Sequence, residues 1–237
     1  VAIDFDGSTG LLRVASTPLT AVPLSMAAFF KSDATSDMTL FGLFSASNSE
    51  YIELGLGVDG KVQAHARSTA AGLNYPVTST SYGTTGYQHA CGVWSAINAR
   101  AVYLDGGGKG TDSASVTPTG IDRMALGATD RPLTANFFNG RLYNVAIWST
   151  ALDDAEVVAL AKGYSPLRVR RTALVFFRPC IRISEAEYIG GRTFTTVGTV
   201  ADIEHGPQVG RRGGVWVKAR TVVAATARIN QTTTLAG

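Results

Sequence analysis

The sequence predicts an all-β fold: an antiparallel two-sheet sandwich of the jelly-roll kind, with one short helix and an extended C-terminal arm. Three observations predict it. Short runs alternate apolar and polar residues, clusters of Gly, Ser, Thr and Asn interrupt them, and only one stretch carries helical capping signals. The 237 residues suffice for a large domain with a sizeable core. With 16% charged and 45% hydrophobic residues, the chain reads as neither a disordered polyelectrolyte nor a coiled coil.

Taken in order, residues 24–31 place Leu24, Met26, Ala28 and Phe30 on one face of a strand. A further strand is expected at 40–44, and residues 51–56 place Ile52, Leu54 and Leu56 together. Residues 61–67 alternate cleanly, the pattern of a strand with one face on the core and one in water, which assigns His65 to the solvated face. Residues 87–97 and 100–104 read as strands, with Trp94 in the core, and Asp105-Gly106-Gly107-Gly108 supplies the positive φ angles of a tight hairpin reversal. The stretch Gly106 to Gly110 leads into Thr/Ser-rich sequence rather than a helix, so it reads as a turn and not a phosphate loop. Strands follow at 124–127, 137–148 (with Trp148 in the core) and 173–178. Between the last two, Asp153 caps a helix, Glu156 completes a capping box, Gly163 stops it and Pro166 lies beyond.

Charge is unevenly placed. From Arg211 onward there are five basic residues (Arg211, Arg212, Lys218, Arg220, Arg228) and no acidic one, so residues 211–237 carry +5 while residues 1–210 net −2. This divides the chain into a sandwich over 1–210 and a basic arm over 211–237, the arm being too short to bury a core of its own. Five charges over that length are thin for a nucleic-acid arm and suit an acidic protein surface. Residues 214–218 and 220–223 have strand-forming composition, suited to extending a sheet edge of a neighbour with Trp216 as anchor. No apolar run approaches the roughly 18 residues of a membrane span, and the first residues resemble no export signal, so no membrane contact and no modification of the Asn230-Gln231-Thr232 sequon are expected.

Ile3-Asp4-Phe5-Asp6-Gly7, Tyr87-Gln88-His89-Ala90, Val102-Tyr103-Leu104-Asp105-Gly106 and Asn139-Gly140-Arg141-Leu142-Tyr143-Asn144-Val145-Ala146-Ile147-Trp148 are followed by Ala151-Leu152-Asp153-Asp154-Ala155-Glu156-Val157. In that order, over residues 1–165, the chain resembles laminin-G-like, concanavalin A-like domains. The C-terminal third, with an apolar strand after the helix, Glu204-His205-Gly206-Pro207 as a closure and an arginine-rich exit, resembles laminin-G-like proteins encoded by tailed bacteriophages. The resemblance implies two curved antiparallel sheets completed by strands after residue 170. Such folds host sugar-binding modules, glycosidases, calcium-dependent adhesion domains and phage structural proteins, so the residues must decide among them.

Glycoside hydrolysis needs two carboxylates close together. The resemblance implies a Glu-x-Asp-x-x-Glu strand for a glucanase, and none is present. Glu50 with Glu53, on opposite faces of a strand, and Glu185 with Glu187, by a loop, read as solvated acids, so no catalytic residue and no enzyme are expected. Relatives place an acidic pair after the glycine strand as calcium ligands. Here Tyr143-Asn144 stand there, leaving Asp4, Asp6, Asp130 and backbone carbonyls for any calcium site. No other cofactor is indicated. His65, His89 and His205 have no metal-ligand spacing, His89 reads as structural, and Cys91 and Cys180 suggest neither a disulfide framework nor zinc. For glycans, Tyr75, Tyr82 and Tyr87 flank the Ser/Thr/Gly-rich stretch 78–86 and are the candidate stacking platforms.

The leading expectation is a non-enzymatic structural protein of a phage virion, a capsid decoration or surface protein. Its sandwich would project outward, and its arm residues Arg211, Arg212, Trp216, Lys218, Arg220 and Arg228 would dock on capsid or on neighbouring copies of itself. The alternative is a carbohydrate-binding, lectin-like module of a viral fibre or secreted enzyme that recognises glycan through Tyr75, Tyr82 and Tyr87. The two are compatible, since a virion surface sandwich can also bind host-surface glycan.

Overall fold

The computed structural model describes residues 2–203. In chain order the strands are β1 (Ala2–Asp6), β2 (Leu11–Val14), β3 (Leu24–Ser32), β4 (Met38–Phe44), β5 (Tyr51–Leu56), β6 (Val62–Ser68), β7 (Gly72–Asn74), β8 (Gln88–Ala96), β9 (Ala99–Leu104), β10 (Gly107–Asp112), β11 (Arg123–Leu126) and β12 (Asn139–Trp148). Helix α1 (Asp154–Ala161) precedes β13 (Leu174–Arg178), β14 (Thr195–Val197) and β15 (Val200–Ile203). One sheet runs β10-β9-β8-β3-β12-β1-β15 with β13 also attached to β12; the other runs β14-β2-β11-β4-β5-β6-β7. The expected all-β, two-sheet architecture is what forms.

The core lies between the sheets because alternate side chains of each strand point inward. Met26, Ala28 and Phe30 of β3 and Trp94 of β8 share one cluster with Ile52, Leu54 and Leu56 of β5 and Val62 and Ala64 of β6. A second cluster, built on Trp148, Tyr103 and Ala27, sits on the opposite face of the first sheet and is roofed by Val157 and Leu160 of α1. The helix starts as expected: Asp153 accepts from the Glu156 amide while the Glu156 side chain accepts from the Asp153 amide. Gly163, with φ +85°, follows its C-cap. The basic connector after Pro166 winds into two short 3-10 turns, Pro166–Arg168 and Arg171–Ala173.

Two details depart from the alternation pattern. The reversal after β9 is confined to Asp105 and Gly106, both with positive φ, and Gly107–Asp112 continues as edge strand β10. Its glycines carry no apolar face to read because the strand is held through its backbone. At the N-terminus, Leu11 and Leu12 of β2 are both buried, so the strand shows no alternation; its two faces contact different clusters.

The chain closes one side of the sandwich with a double staple. β1 lies in the first sheet and β2 in the second; β14 pairs with β2 through Thr196 and Leu12, and β15 pairs with β1 through Ala2 and Ile203. Strand β12 has a split partner on one side, taking β1 along Asn139–Leu142 and β13 along Val145–Trp148. The changeover falls beside Asn144, which has φ +50°. At the end of β11, Gly127 has φ +88°, and a Cβ there would come within 2.3 Å of the Phe5 ring.

The outer face of the second sheet is not the open polar surface that alternation implies. The segment 128–137 folds back across it: Thr129 and Ala135 bridge, and Phe137 packs with Leu11, Phe44, Tyr51, Ala125 and Ala128. Glu53, reached by Thr129, is buried beneath this segment; His65, expected in solvent, is buried against Tyr51 and Tyr75, and Glu50 is buried under Thr69 and Thr119. Glu187, also expected to be solvated, is buried as the acceptor for the amides of Phe177, Ile189 and Gly190 and for Arg192.

Candidate functional site

Register on the second sheet sets the site. Pairing of β5 with β6 places Tyr51 opposite Arg67, Glu53 opposite His65 and Gly55 opposite Gln63, all on the outer face. The Glu53 carboxylate is wholly buried and spends its oxygens locally: Oε1 meets His65 Nδ1 at 2.8 Å, and Oε2 accepts from Thr39 at 3.2 Å and Thr129 at 3.0 Å. His65 Nε2 in turn meets Gln63 Oε1 at 2.8 Å, so both ring nitrogens are engaged and the ring is fixed in place. At the strand's start, burial would raise the Glu50 carboxyl, but bonds from Thr119 and Thr69 outweigh it and hold it below its ordinary value.

This network floors a cavity of about 100 Å³ bounded by Tyr51, Gln63, His65, Leu73, Tyr75, Asp37 and Asn136. The Tyr75 ring stands edge-on to His65 at 4.6 Å and is 39% exposed. It offers an open aromatic surface beside fixed hydrogen-bonding groups. Burial, with the Glu53 charge adding, pushes the Tyr51 hydroxyl up to about 12, which keeps it a neutral phenol.

Of the three expected tyrosines, Tyr75 fronts this cavity. Tyr82 is 6% exposed, packs edge-on to Phe30 at 5.8 Å, and belongs to the core cluster, so it presents no free face to a sugar. Its segment is drawn inward by the Tyr82 amide bonding to the Gly60 carbonyl. Tyr87 is half-buried against Tyr143, ring to ring at 5.6 Å. Tyr51, His65 and Gln63 are the site residues that alternation does not find, because what distinguishes them is coverage from outside their own strands: Phe137 packs on Tyr51, Tyr75 on His65, and Val77 bridges Gln63.

A larger, open groove of about 560 Å³ lies on the other sheet, with Ala99, Ala101 and Val93 among its lining and Lys109, Tyr103 and Asp154 grouped on one wall. Asp154 accepts from the Tyr103 hydroxyl at 2.7 Å and from Lys109 Nζ at 2.9 Å. These bonds hold its carboxyl below the ordinary range and, with burial the larger cause, push Tyr103 up to about 12. The charges there neutralise one another.

The carboxylates considered for calcium do not fit it. Asp4 pairs with Arg141 at 3.1 Å, and Asp130 is held by Arg13 and Arg123. Asp6 takes the amides of Ser8, Thr9 and Gly10 and both hydroxyls of that turn. Among the described residues no group of three acidic, His or Cys side chains is arranged around a common point. Cys91 and Cys180 are both free and buried, burial raising each thiol above its ordinary value. The arm residues Arg211, Arg212, Trp216, Lys218, Arg220 and Arg228, with His205, lie outside the described residues.

A sequence-family profile described as the concanavalin A-like lectin/glucanases superfamily matches residues 6–158. Among curated proteins, none matches the sequence. Solved structures share the fold at low identity. A heptameric SAP-like pentraxin from Limulus polyphemus is similar with a TM-score of 0.62 and 18% identity, over 84% of this chain and 93% of that one. The CBM40 of the Ruminococcus gnavus IT-sialidase, bound to α2,3 sialyllactose, is similar with a TM-score of 0.58 and 14% identity, over 68% of this chain and 96% of its own. Domain 4 of AbnA, a GH43 extracellular arabinanase from Geobacillus stearothermophilus, in complex with arabinotriose, gives 0.57 and 22%, over 68% and 76%.

Proposed function

This chain belongs to the concanavalin A-like lectin/glucanases superfamily, and from that premise we propose that it is a carbohydrate-binding module whose site is the Tyr75 cavity. The observation that carries the reading is the half-open Tyr75 ring beside the locked Glu53–His65–Gln63 chain. A sugar presents an apolar ring face to stack and hydroxyls to bond, and this corner of the sheet offers partners for both. The bound sugars of the CBM40 and AbnA structures support the reading by analogy of fold.

The module binds and does not cleave. Glycoside hydrolysis needs two carboxyl groups about 5–9.5 Å apart across the scissile bond. The cavity is lined by one, Asp37, while Glu53 beneath it is sealed and committed to Thr39, Thr129 and His65. The capsid-docking role rests on the composition of residues 211–237 and on the resemblance of the C-terminal third to phage-encoded laminin-G-like proteins, and the module reading, resting on side-chain geometry, takes precedence over it.

Glycan-array binding by the full chain, followed by titration with the hits, tests the proposal. Tyr75→Ala is expected to weaken binding about tenfold, the size of a lost aromatic contact, with the thermal midpoint unchanged. Wild-type affinity in Tyr75→Ala, or an array without a hit, would overturn the reading. Loss of binding in Lys109→Ala with Tyr75→Ala unaffected would place the site in the groove on the other sheet instead.

A further inference from the structure

Among the described residues, half-buried arginines come with a carboxylate, with two exceptions. Arg13 pairs with Asp130, Arg123 with Asp122 and Asp130, Arg141 with Asp4 and Asp33, and Arg192 with Glu187. Arg67 and Arg131 are half-buried as well, and neither has a carboxylate within salt-bridge distance among the described residues. Both flank the same side chain. Arg67 stands opposite Tyr51 on the neighbouring strand, and the Arg131 guanidinium lies 5.8 Å from the centre of the Tyr51 ring. The Nε of each is buried without a partner, as it is in the paired Arg100, Arg123 and Arg141, so what sets these two apart is the missing carboxylate. Because Tyr51 stays a neutral phenol, it gives the two cations a dipole and a π-face but no counter-charge.

A partly desolvated guanidinium without an anion is an unfavourable arrangement, and the remedy with best geometry is a planar, bidentate acceptor. The Tyr51 side chain is also a wall of the cavity that Tyr75 fronts. We therefore propose that Arg67 and Arg131 form a carboxylate clamp at the edge of the Tyr75 cavity, so that the preferred ligand is an acidic sugar, a uronate or sialate, and not a neutral one. Tyr75 takes the ring face, Gln63 and Asn136 offer amides to hydroxyls, and the clamp takes the acid group. Arg178 also lacks a carboxylate, but it is wholly buried, donates to the carbonyls of Arg182 and Ile183, and lies under the Phe194 ring, so it faces no ligand space.

This inference rests on the module reading above, and the test separates the two. The full chain is titrated with uronate- and sialate-terminated oligosaccharides, each beside its own methyl ester, and with neutral oligosaccharides bearing a single sulfate. An acid is expected to bind at least tenfold tighter than its ester, with affinity falling as salt rises. In Arg67→Gln and Arg131→Gln that ratio is expected to shrink toward one, while an unchanged thermal midpoint reports that each variant is folded. Arg131→Lys, which keeps the charge and loses the fork, is expected to fall between. Equal binding of acid and ester by the wild-type chain would overturn the clamp and leave the module reading standing. Preference for the sulfated sugar over every carboxylate would overturn the carboxylate assignment. Absence of binding to acidic, esterified and neutral sugars alike would overturn both.

Discussion

Lowering the pH from 7 to 5 is expected to cost the fold about 2 kcal/mol through one side chain, His89. This residue, on β8, is 2% exposed, sits edge-on to Phe29 at 4.9 Å, and has an Nδ1 with no partner. Phe29 in turn stacks on Tyr143 at 4.6 Å, so the imidazole is walled by rings. The Asp105 carboxylate nearby is taken by the His89 backbone amide and the Gln88 side chain. Burial alone lowers the ring to about 3 from an ordinary value of 6.5. The folded state thus holds His89 neutral while the unfolded chain protonates it below about pH 6.5. Stability is complete above that value and declines as the pH falls toward 3. At pH 5 the unfolded side chain is about 1.5 units below its pKa, which at about 1.4 kcal/mol per unit gives about 2 kcal/mol. For a domain of this size that is a fall of roughly 4–8 °C in midpoint. The assay is thermal or urea unfolding at pH 5, 6 and 7, for wild type and His89→Gln, the difference in slope isolating this residue from the other histidines. Parallel pH dependences for the two proteins would refute the argument, since a ring already protonated or solvated in the native state gives the variant nothing to remove.

Two local substitutions probe the frame. Gly127→Ala introduces a Cβ at a positive φ within 2.3 Å of the Phe5 ring, and is expected to destabilise by more than about 2 kcal/mol in urea titration, combining backbone strain with overpacking. Asp153→Ala removes the cap of α1 and one of two acidic partners of Arg170, and is expected to lower stability by about 1 kcal/mol by the same measurement.

What could be read from the sequence was local. Period-two alternation places the strands because neighbouring residues of one strand face opposite sides, and the start of α1 is legible because Asp153 and Glu156 satisfy each other three residues apart. Coverage is not local. Clean alternation in β6 marks His65 as outward, which it is, but whether outward means solvent depends on what lies over the sheet, here Tyr75 against the His65 ring and Thr129 against Glu53. The same reasoning separates the tyrosines: Tyr75 follows the short edge strand β7 and keeps an open face, while Tyr82 is carried inward by a backbone bond to Gly60 and disappears against Phe30. Charge pairing is likewise invisible along the chain. Asp130 and Arg131 are adjacent, yet the first is doubly compensated by Arg13 and Arg123 and the second has no carboxylate beside it.

The pairing of Ala2 with Ile203 has a use in protein engineering. Because these residues face each other across one antiparallel ladder, the sandwich can be spliced into a surface loop of another protein without stretching the host, both connections leaving at a single point. By the same geometry, a short linker joining residue 203 to residue 2, with new ends opened in the exposed stretch 84–86, defines a circular permutant that keeps every strand neighbour and the Tyr75 cavity in place.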